Sequence, residues 1–329
     1  MITKDSFHSS IVADLIDYIS LKQALGCSFK SATFILSSLD RFLCELGSPP
    51  PDLTAETFRQ WGQTMESVSS NTRLARMHVV RNFCLYRQRK TPTCFVPDPS
   101  QFPKTSPPRT RPYIFSDTEV AMLLYHSKAI PVLDRSPLRA ATTRLAIVLL
   151  YTTGIRRGEL LRLTRADYNP LKQTLAIHVS KFYKSRILPL PSDVVLEVEA
   201  FLKKHRSIYP RLPDDAPLIL NPRWGGKAYS GTQLRKNLHI IFNLAGIRKP
   251  DGRLPRIHDF RFSFAVNVLL RWYHSGVNVQ AKLPLLAAYM GHVSVLSTYY
   301  YMQWIEPLAS VADSLFAAHY GALIEGGVL

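Results

Sequence analysis

The chain has 329 residues, 46% of them hydrophobic, with 41 Lys and Arg against 24 Asp and Glu, a formal charge of +17. That length accommodates two domains with separate cores, and so large a positive excess favours an anionic partner. No run of about 18 apolar residues is present and the start does not read as a secretory leader, so nucleic acid rather than a membrane is the expected partner.

The first third reads as a small helical bundle. Ile11, Leu15 and Ile19 lie in a first helix ended by Gly26, and Ile35, Leu39, Phe42, Leu43 and Leu46 recur at helical spacing over 28–46. After Pro49-Pro50-Pro51, Thr54 is placed to cap a short third helix. A fourth helix over 70–90 offers Leu74, Met77, Val80 and Leu85 to a core, while Arg73, Arg76, Arg81, Arg87, Arg89 and Lys90 occur without an intervening acid. Such a face either rests on phosphates or is only a solvated surface. Cys27, Cys44, Cys84 and Cys94 form no C-x-x-C pair and have no His at ligand spacing, so reduced thiols and no metal site are expected.

Prolines crowd 91–112, and Lys104, Arg109 and Arg111 make that stretch basic. It reads as an extended linker able to follow a duplex, letting two domains close on it as a clamp. Beyond it, Ser116-Asp117-Thr118-Glu119 has the form of a capping box. An apolar helix over 138–153 stops at Gly154, two short extended runs over 174–180 and 186–190 make a small hairpin or sheet, and further helices fall over 193–206, 230–245, 259–274 and 283–290. The second domain is therefore mostly helical with one small sheet.

Chemistry-bearing residues stand at intervals along this half. Arg156 lies in Thr153-Gly154-Ile155-Arg156-Arg157-Gly158-Glu159-Leu160, Lys181 in Ser180-Lys181-Phe182-Tyr183-Lys184, His258 and Arg261 in His258-Asp259-Phe260-Arg261, His292 in Met290-Gly291-His292, and Tyr301 ends Tyr299-Tyr300-Tyr301. In-line attack on a phosphodiester builds negative charge on the non-bridging oxygens, and an arginine fork matches that charge with two parallel hydrogen bonds. Arg156 and Arg261 are the candidates, with Arg157 a rival for the first. A phenol attacks well only after giving up its proton, for which His258 is a suitable acceptor. Lys181, or its rival Lys184, is placed to protonate the leaving sugar oxygen, and His292 to donate a hydrogen bond to the phosphate.

In order and spacing these stretches resemble the tyrosine recombinase, or phage integrase, family: a T-G-[LI]-R-x-x-E-L box, a lysine hairpin, H-x-L-R, L-G-H and a Tyr nine positions after that last His. The resemblance covers residues 150–301, about half the chain. It implies Arg156, Lys181, His258, Arg261 and His292 as the phosphate-activating set, Tyr301 as the nucleophile of a covalent 3'-phosphotyrosyl link, and Glu159 as a support. Phe262 replaces a frequent second His, Phe260 and Met290 replace common leucines, and the choice of Tyr301 over its two neighbours rests on spacing alone.

The fold implied is mainly α with a small antiparallel β-sheet. It forms a two-domain C-shaped clamp, an N-terminal helical core-binding domain (1–96), a basic linker (97–113) and a mixed α/β integrase-type catalytic domain (114–329). The apolar stretch 309–324 would dock on a neighbouring subunit or on its own domain. The resemblance further implies a site-specific recombinase acting on double-stranded DNA, two copies per site and four in a synapse, with accessory proteins, no cofactor, no metal and a cytoplasmic, nucleoid-associated location. DNA contacts are expected from Arg73, Arg76, Arg81, Arg87, Lys104, Arg109 and Arg111. The alternatives are a type IB topoisomerase, which shares the chemistry, and a catalytically inactive DNA-binding protein of the same fold.

Overall fold

The computed structural model describes residues 7–27, 29–105, 111–131, 133–134, 136–178, 185–221, 227–292 and 294–302. The chain divides into two compact units, Met1–Thr110 and Arg111–Leu329.

The first unit holds α1 (Val12–Ala24), α2 (Lys30–Glu45), α3 (Ala55–Gln63) and α4 (Ser70–Lys90). Their starts follow from local chemistry. Thr54 and Thr57 exchange side-chain and backbone hydrogen bonds to cap α3, and Ser69 accepts the Thr72 N–H to cap α4. Ahead of α1, the buried carboxylate of Asp40 accepts the N–H groups of His8 (3.0 Å) and Ser9 (2.9 Å), fixing where the chain enters the bundle. Leu15, Leu36, Leu39, Leu43, Trp61, Val80 and Phe83 fill the core. Cys84 lies there too, and burial pushes its thiol up to about 12. All four cysteines are unbridged.

Two expectations for this unit need correction. Arg87 is not a free phosphate contact: it is buried, its Nε donates to Asp14 (2.8 Å), and its Nη2 lies 3.1 Å from Asp52. Lys90 pairs with Asp17 at 2.7 Å. The acids missing from α4 are supplied by α1 and by the segment before α3. Nor is all of 97–113 a linker. Pro99–Gln101 form a 3-10 turn, Phe102 is buried with its ring 6.0 Å from that of Phe58, and Arg81 donates to the Pro97 carbonyl at 3.1 Å. Burying Phe102 ties this segment into the first core. Arg73 and Arg76 are half-buried and Lys104 is exposed, while Arg109 lies outside the described residues.

The second unit is built on α6 (Arg139–Thr153), in which Leu145 to Leu150 are consecutively buried, so that all its sides face protein. Around it pack α5 (Asp117–His126), α8 (Ser192–Ile208), α9 (Gly231–Leu244) and α10 (Ile257–His274). The strands β1 (Tyr168–Asn169), β2 (Thr174–Ile177) and β3 (Arg186–Pro189) form an antiparallel sheet in sequence order, in which Leu175 pairs with Leu188 and both are fully buried. A second two-stranded pair, β4 (Leu220–Asn221) with β5 (Lys227–Ala228), adds to the single sheet expected. The short α7 (Arg157–Leu160) follows α6, and α11 (Val279–Met290) and α12 (Leu296–Met302) pack on α10 over a further apolar cluster. The mainly helical class with a small antiparallel sheet is therefore as expected. The apolar stretch 309–324 lies outside the described residues. No helix among the described residues is long and apolar enough to cross a membrane.

Replacing Arg87 by Ala removes the 2.8 Å contact to Asp14, which keeps only Lys90 at 3.8 Å, and the contact to Asp52, and is expected to cost about 1–3 kcal/mol in urea unfolding of the full chain. Arg76→Ala, for which the described residues show no such pair, should stay within about 0.5 kcal/mol.

Candidate active site

Two glycines shape the frame. Gly154 ends α6 with φ +59°, where a Cβ would come 2.4 Å from Phe264, and Gly291 ends α11 with φ +67°, where a Cβ would come 2.7 Å from an Arg186 nitrogen. Both turns accept only glycine, and both aim backbone carbonyls at the same group of cations.

Arg156 leads into α7, and the buried carboxylate of Glu159 accepts its backbone N–H (2.9 Å) and its Nη1 (2.8 Å). The same carboxylate accepts Nη2 of Arg186 at 2.8 Å and Nη1 at 3.2 Å. The two guanidiniums then reach the end of α11, Arg186 Nε donating to the Tyr289 carbonyl and Arg156 Nη2 to that of Gly291, each at 2.8 Å. Burial works against ionising Glu159, but the hydrogen bonds and charges of Arg186 and Arg156 prevail and hold its pKa at about 2.

Arg261 is 1% exposed. It donates to the carbonyls of Gly154 (2.6 Å) and Met290 (2.8 Å), and its Nη2 stands 2.8 Å from His292 Nε2. Its helix is fixed at the N-terminal end by buried Asp259, which pairs with Arg256 (2.7 Å) and Lys249 (3.2 Å). One turn earlier, His258 lies edge-on to Phe262 at 5.3 Å.

Tyr301 is 4% exposed. Its ring stacks on His292 (5.8 Å, 12°) and meets Phe262 at 5.0 Å, and its phenol lies close enough to Arg261 for the two to interact electrostatically. Tyr299 instead donates to Gln280 at 2.5 Å and Tyr300 packs edge-on to Phe262. Of the three, Tyr301 is the one stacked on His292 and set beside Arg261. Arg157 lies against the start of α9, where a Cβ on Gly231 would be 3.0 Å from its Cζ, away from the cluster that Arg156 joins. Lys181 and Lys184 lie outside the described residues, between the ends of β2 and β3. Among the described residues no group of three or more His, Cys, Asp or Glu side chains is arranged to hold a metal ion.

Arg186 and Thr298 were not anticipated. The alternation of β3 carries a signal for the first: Arg186 shares a face with Leu188, which is fully buried, and an inward Arg needs a partner. Thr298, whose Oγ1 is 2.7 Å from His292 Nδ1, has no comparable signal.

A sequence profile of the phage integrase family matches residues 118–305, more than half the chain and all of the cluster just described. The chain belongs to that family. This family member is 29% identical over 288 residues to the "Putative integrase/recombinase y4rB" of Sinorhizobium fredii, covering 87% of this chain and 90% of the relative. It is also 29% identical over 196 residues to the tyrosine recombinase XerA of Pyrococcus furiosus, 59% of this chain and 58% of that one. Among solved structures it shares the fold of the XerH site-specific recombinase bound to a palindromic difH substrate in a post-cleavage complex. The TM-score is 0.62 at 19% identity, covering 87% of this chain and 78% of that one.

Desolvation first, then the charges of Arg261 and Arg256 on His258 and of Arg261, Arg156 and Arg186 on His292, bring both imidazoles down to about 4. Both rings are neutral near pH 7. Because the unfolded chain binds these protons near 6.5, it takes up more protons than the folded protein between that pH and about 4. The stability they contribute is complete above 6.5 and is lost as the pH falls through this window. Denaturant midpoints measured from pH 7 to pH 4 should fall in the native protein and fall less steeply in a His258→Gln/His292→Gln variant.

Proposed function

We propose that this integrase-family protein is a site-specific recombinase that cuts and rejoins double-stranded DNA through Tyr301. The observation carrying this reading is the burial of Tyr301 on His292 with its phenol beside Arg261. In the step proposed, the phenol oxygen attacks phosphorus, the bond from phosphorus to the 5'-oxygen breaks, and a 3'-phosphotyrosyl link and a free 5'-hydroxyl result. Neutral His258 takes the phenol proton and Lys181 gives one to the leaving oxygen. Arg156 and Arg261 stabilise charge on the non-bridging oxygens by exchanging carbonyl partners for phosphate. The link conserves the energy of the broken bond, so attack by a 5'-hydroxyl reseals the strand without ATP.

Arg73, Arg76, Arg81, Lys104, Arg109 and Arg111 are proposed to contact phosphates along the duplex, in keeping with the net charge of +17. We further assign two copies to each DNA site, four to the synapse, accessory proteins as partners, and the nucleoid as the place of action.

Nicked suicide duplexes tiled across the DNA flanking the coding sequence provide the test. Wild-type protein, Tyr299→Phe and Tyr300→Phe should yield a detergent-resistant protein–DNA adduct, and Tyr301→Phe none; an adduct from Tyr301→Phe would remove it as the nucleophile. Arg156→Ala and Arg261→Ala should still shift these duplexes in a gel while slowing adduct formation by roughly 10² to 10³. Rates equal to wild type would exclude both from the chemistry.

A further inference from the structure

His292 has two ring nitrogens, and the structure determines which holds the hydrogen. A guanidinium only donates, so Arg261 Nη2 at 2.8 Å requires Nε2 of His292 to be the acceptor. The hydrogen of the neutral ring therefore sits on Nδ1, where Oγ1 of Thr298 accepts it at 2.7 Å. Thr298 is 0% exposed and stands on α12, three residues before Tyr301.

A ring in this state has no hydrogen to offer a phosphate. Once a phosphodiester takes the Arg261 guanidinium, Nε2 loses its donor and faces an anionic oxygen, so binding is favourable only if Nε2 becomes a donor. Protonating the ring is opposed first by its burial and then by Arg261, Arg156 and Arg186, which face it together with Glu159 and the Tyr301 ring. The remaining route is exchange: one proton leaves Nδ1 for solvent, one reaches Nε2 from solvent, and the ring stays neutral. Nδ1 must then find a donor in place of an acceptor. A threonine hydroxyl serves it in both states, accepting in the first and donating in the second, without moving a heavy atom.

We propose that Thr298 is a positioning residue that carries His292 through a tautomer exchange, Nδ1–H in the free protein and Nε2–H when a phosphodiester occupies the site. The inference rests on the recombinase reading above. Because the hydroxyl belongs to the helix of Tyr301, the same contact holds nucleophile and imidazole in register in both states.

Nitrogen NMR of the full chain with labelled histidine reads the ring directly. Free wild-type protein, Thr298→Ser and Thr298→Val should all show the His292 proton on Nδ1, because Arg261 fixes Nε2 as the acceptor in each, whereas only wild type and Thr298→Ser can supply a donor to Nδ1 once DNA binds. In Tyr301→Phe protein saturated with a duplex that it shifts in a gel, the proton should be on Nε2 with Nδ1 bare, and a ring protonated at both nitrogens overturns the exchange. A free ring protonated at Nε2, or a DNA-bound ring unchanged from the free one, overturns the inference. On a duplex that traps wild-type protein, Thr298→Val should form adduct roughly tenfold more slowly, the kinetic equivalent of about one hydrogen bond, and Thr298→Ser should restore the rate. Equal rates for Thr298→Val and wild type overturn the positioning role and leave the recombinase reading standing. Failure of wild-type protein to trap any duplex overturns that reading instead, separately from the ring state of the free protein.

Discussion

The second unit depends on one buried carboxylate. Glu159 lies between Arg156 and Arg186, and without it two like charges would face each other where little water can screen them. At an effective dielectric near 20, charges about 4 Å apart interact by roughly 4 kcal/mol. Each guanidinium is closer to Glu159 than that, since both donate directly to it, so attraction outweighs their mutual repulsion. Removing the carboxylate would leave both cations uncompensated, the situation in which breaking a buried pair is costly.

A second restraint comes from the backbone. The carbonyls of Gly154, Tyr289, Met290 and Gly291 all accept hydrogen bonds from this cluster. Gly154 closes α6 and the others close α11, so two helix ends far apart in the chain are tied through arginine forks. These neutral acceptors hold the guanidiniums in place without cancelling their charge. In the recombinase reading proposed above, an incoming phosphate would exchange for carbonyl oxygens rather than for bulk water, with the donors already oriented as charge develops.

The charge of the first unit is distributed differently from its appearance along α4. The cations of that helix follow one another with no acid between them, yet Arg87 and Lys90 are neutralised by Asp14, Asp17 and Asp52. Net charge is a property of the whole chain and describes its affinity for a polyanion. It does not assign individual side chains to that polyanion, because a buried cation finds its counter-charge wherever the core brings one.

The sequence alone determined the helix limits at Thr54, Ser116 and Gly154, because caps and stops act between residues three or four positions apart. Its ordered motifs also singled out Arg156, Arg261, His292 and Tyr301, which the fold brings near one another. Only the tertiary structure decided the rest. It placed Tyr301 against Phe262 and His292 while Tyr299 reaches Gln280, since successive helix positions point about 100° apart and packing sets which neighbours each ring meets. It turned Arg157 away, brought Arg186 and Thr298 in, and paired Arg87 with acids 73 and 35 residues distant. Such contacts form between segments whose separation along the chain has no relation to their distance in space.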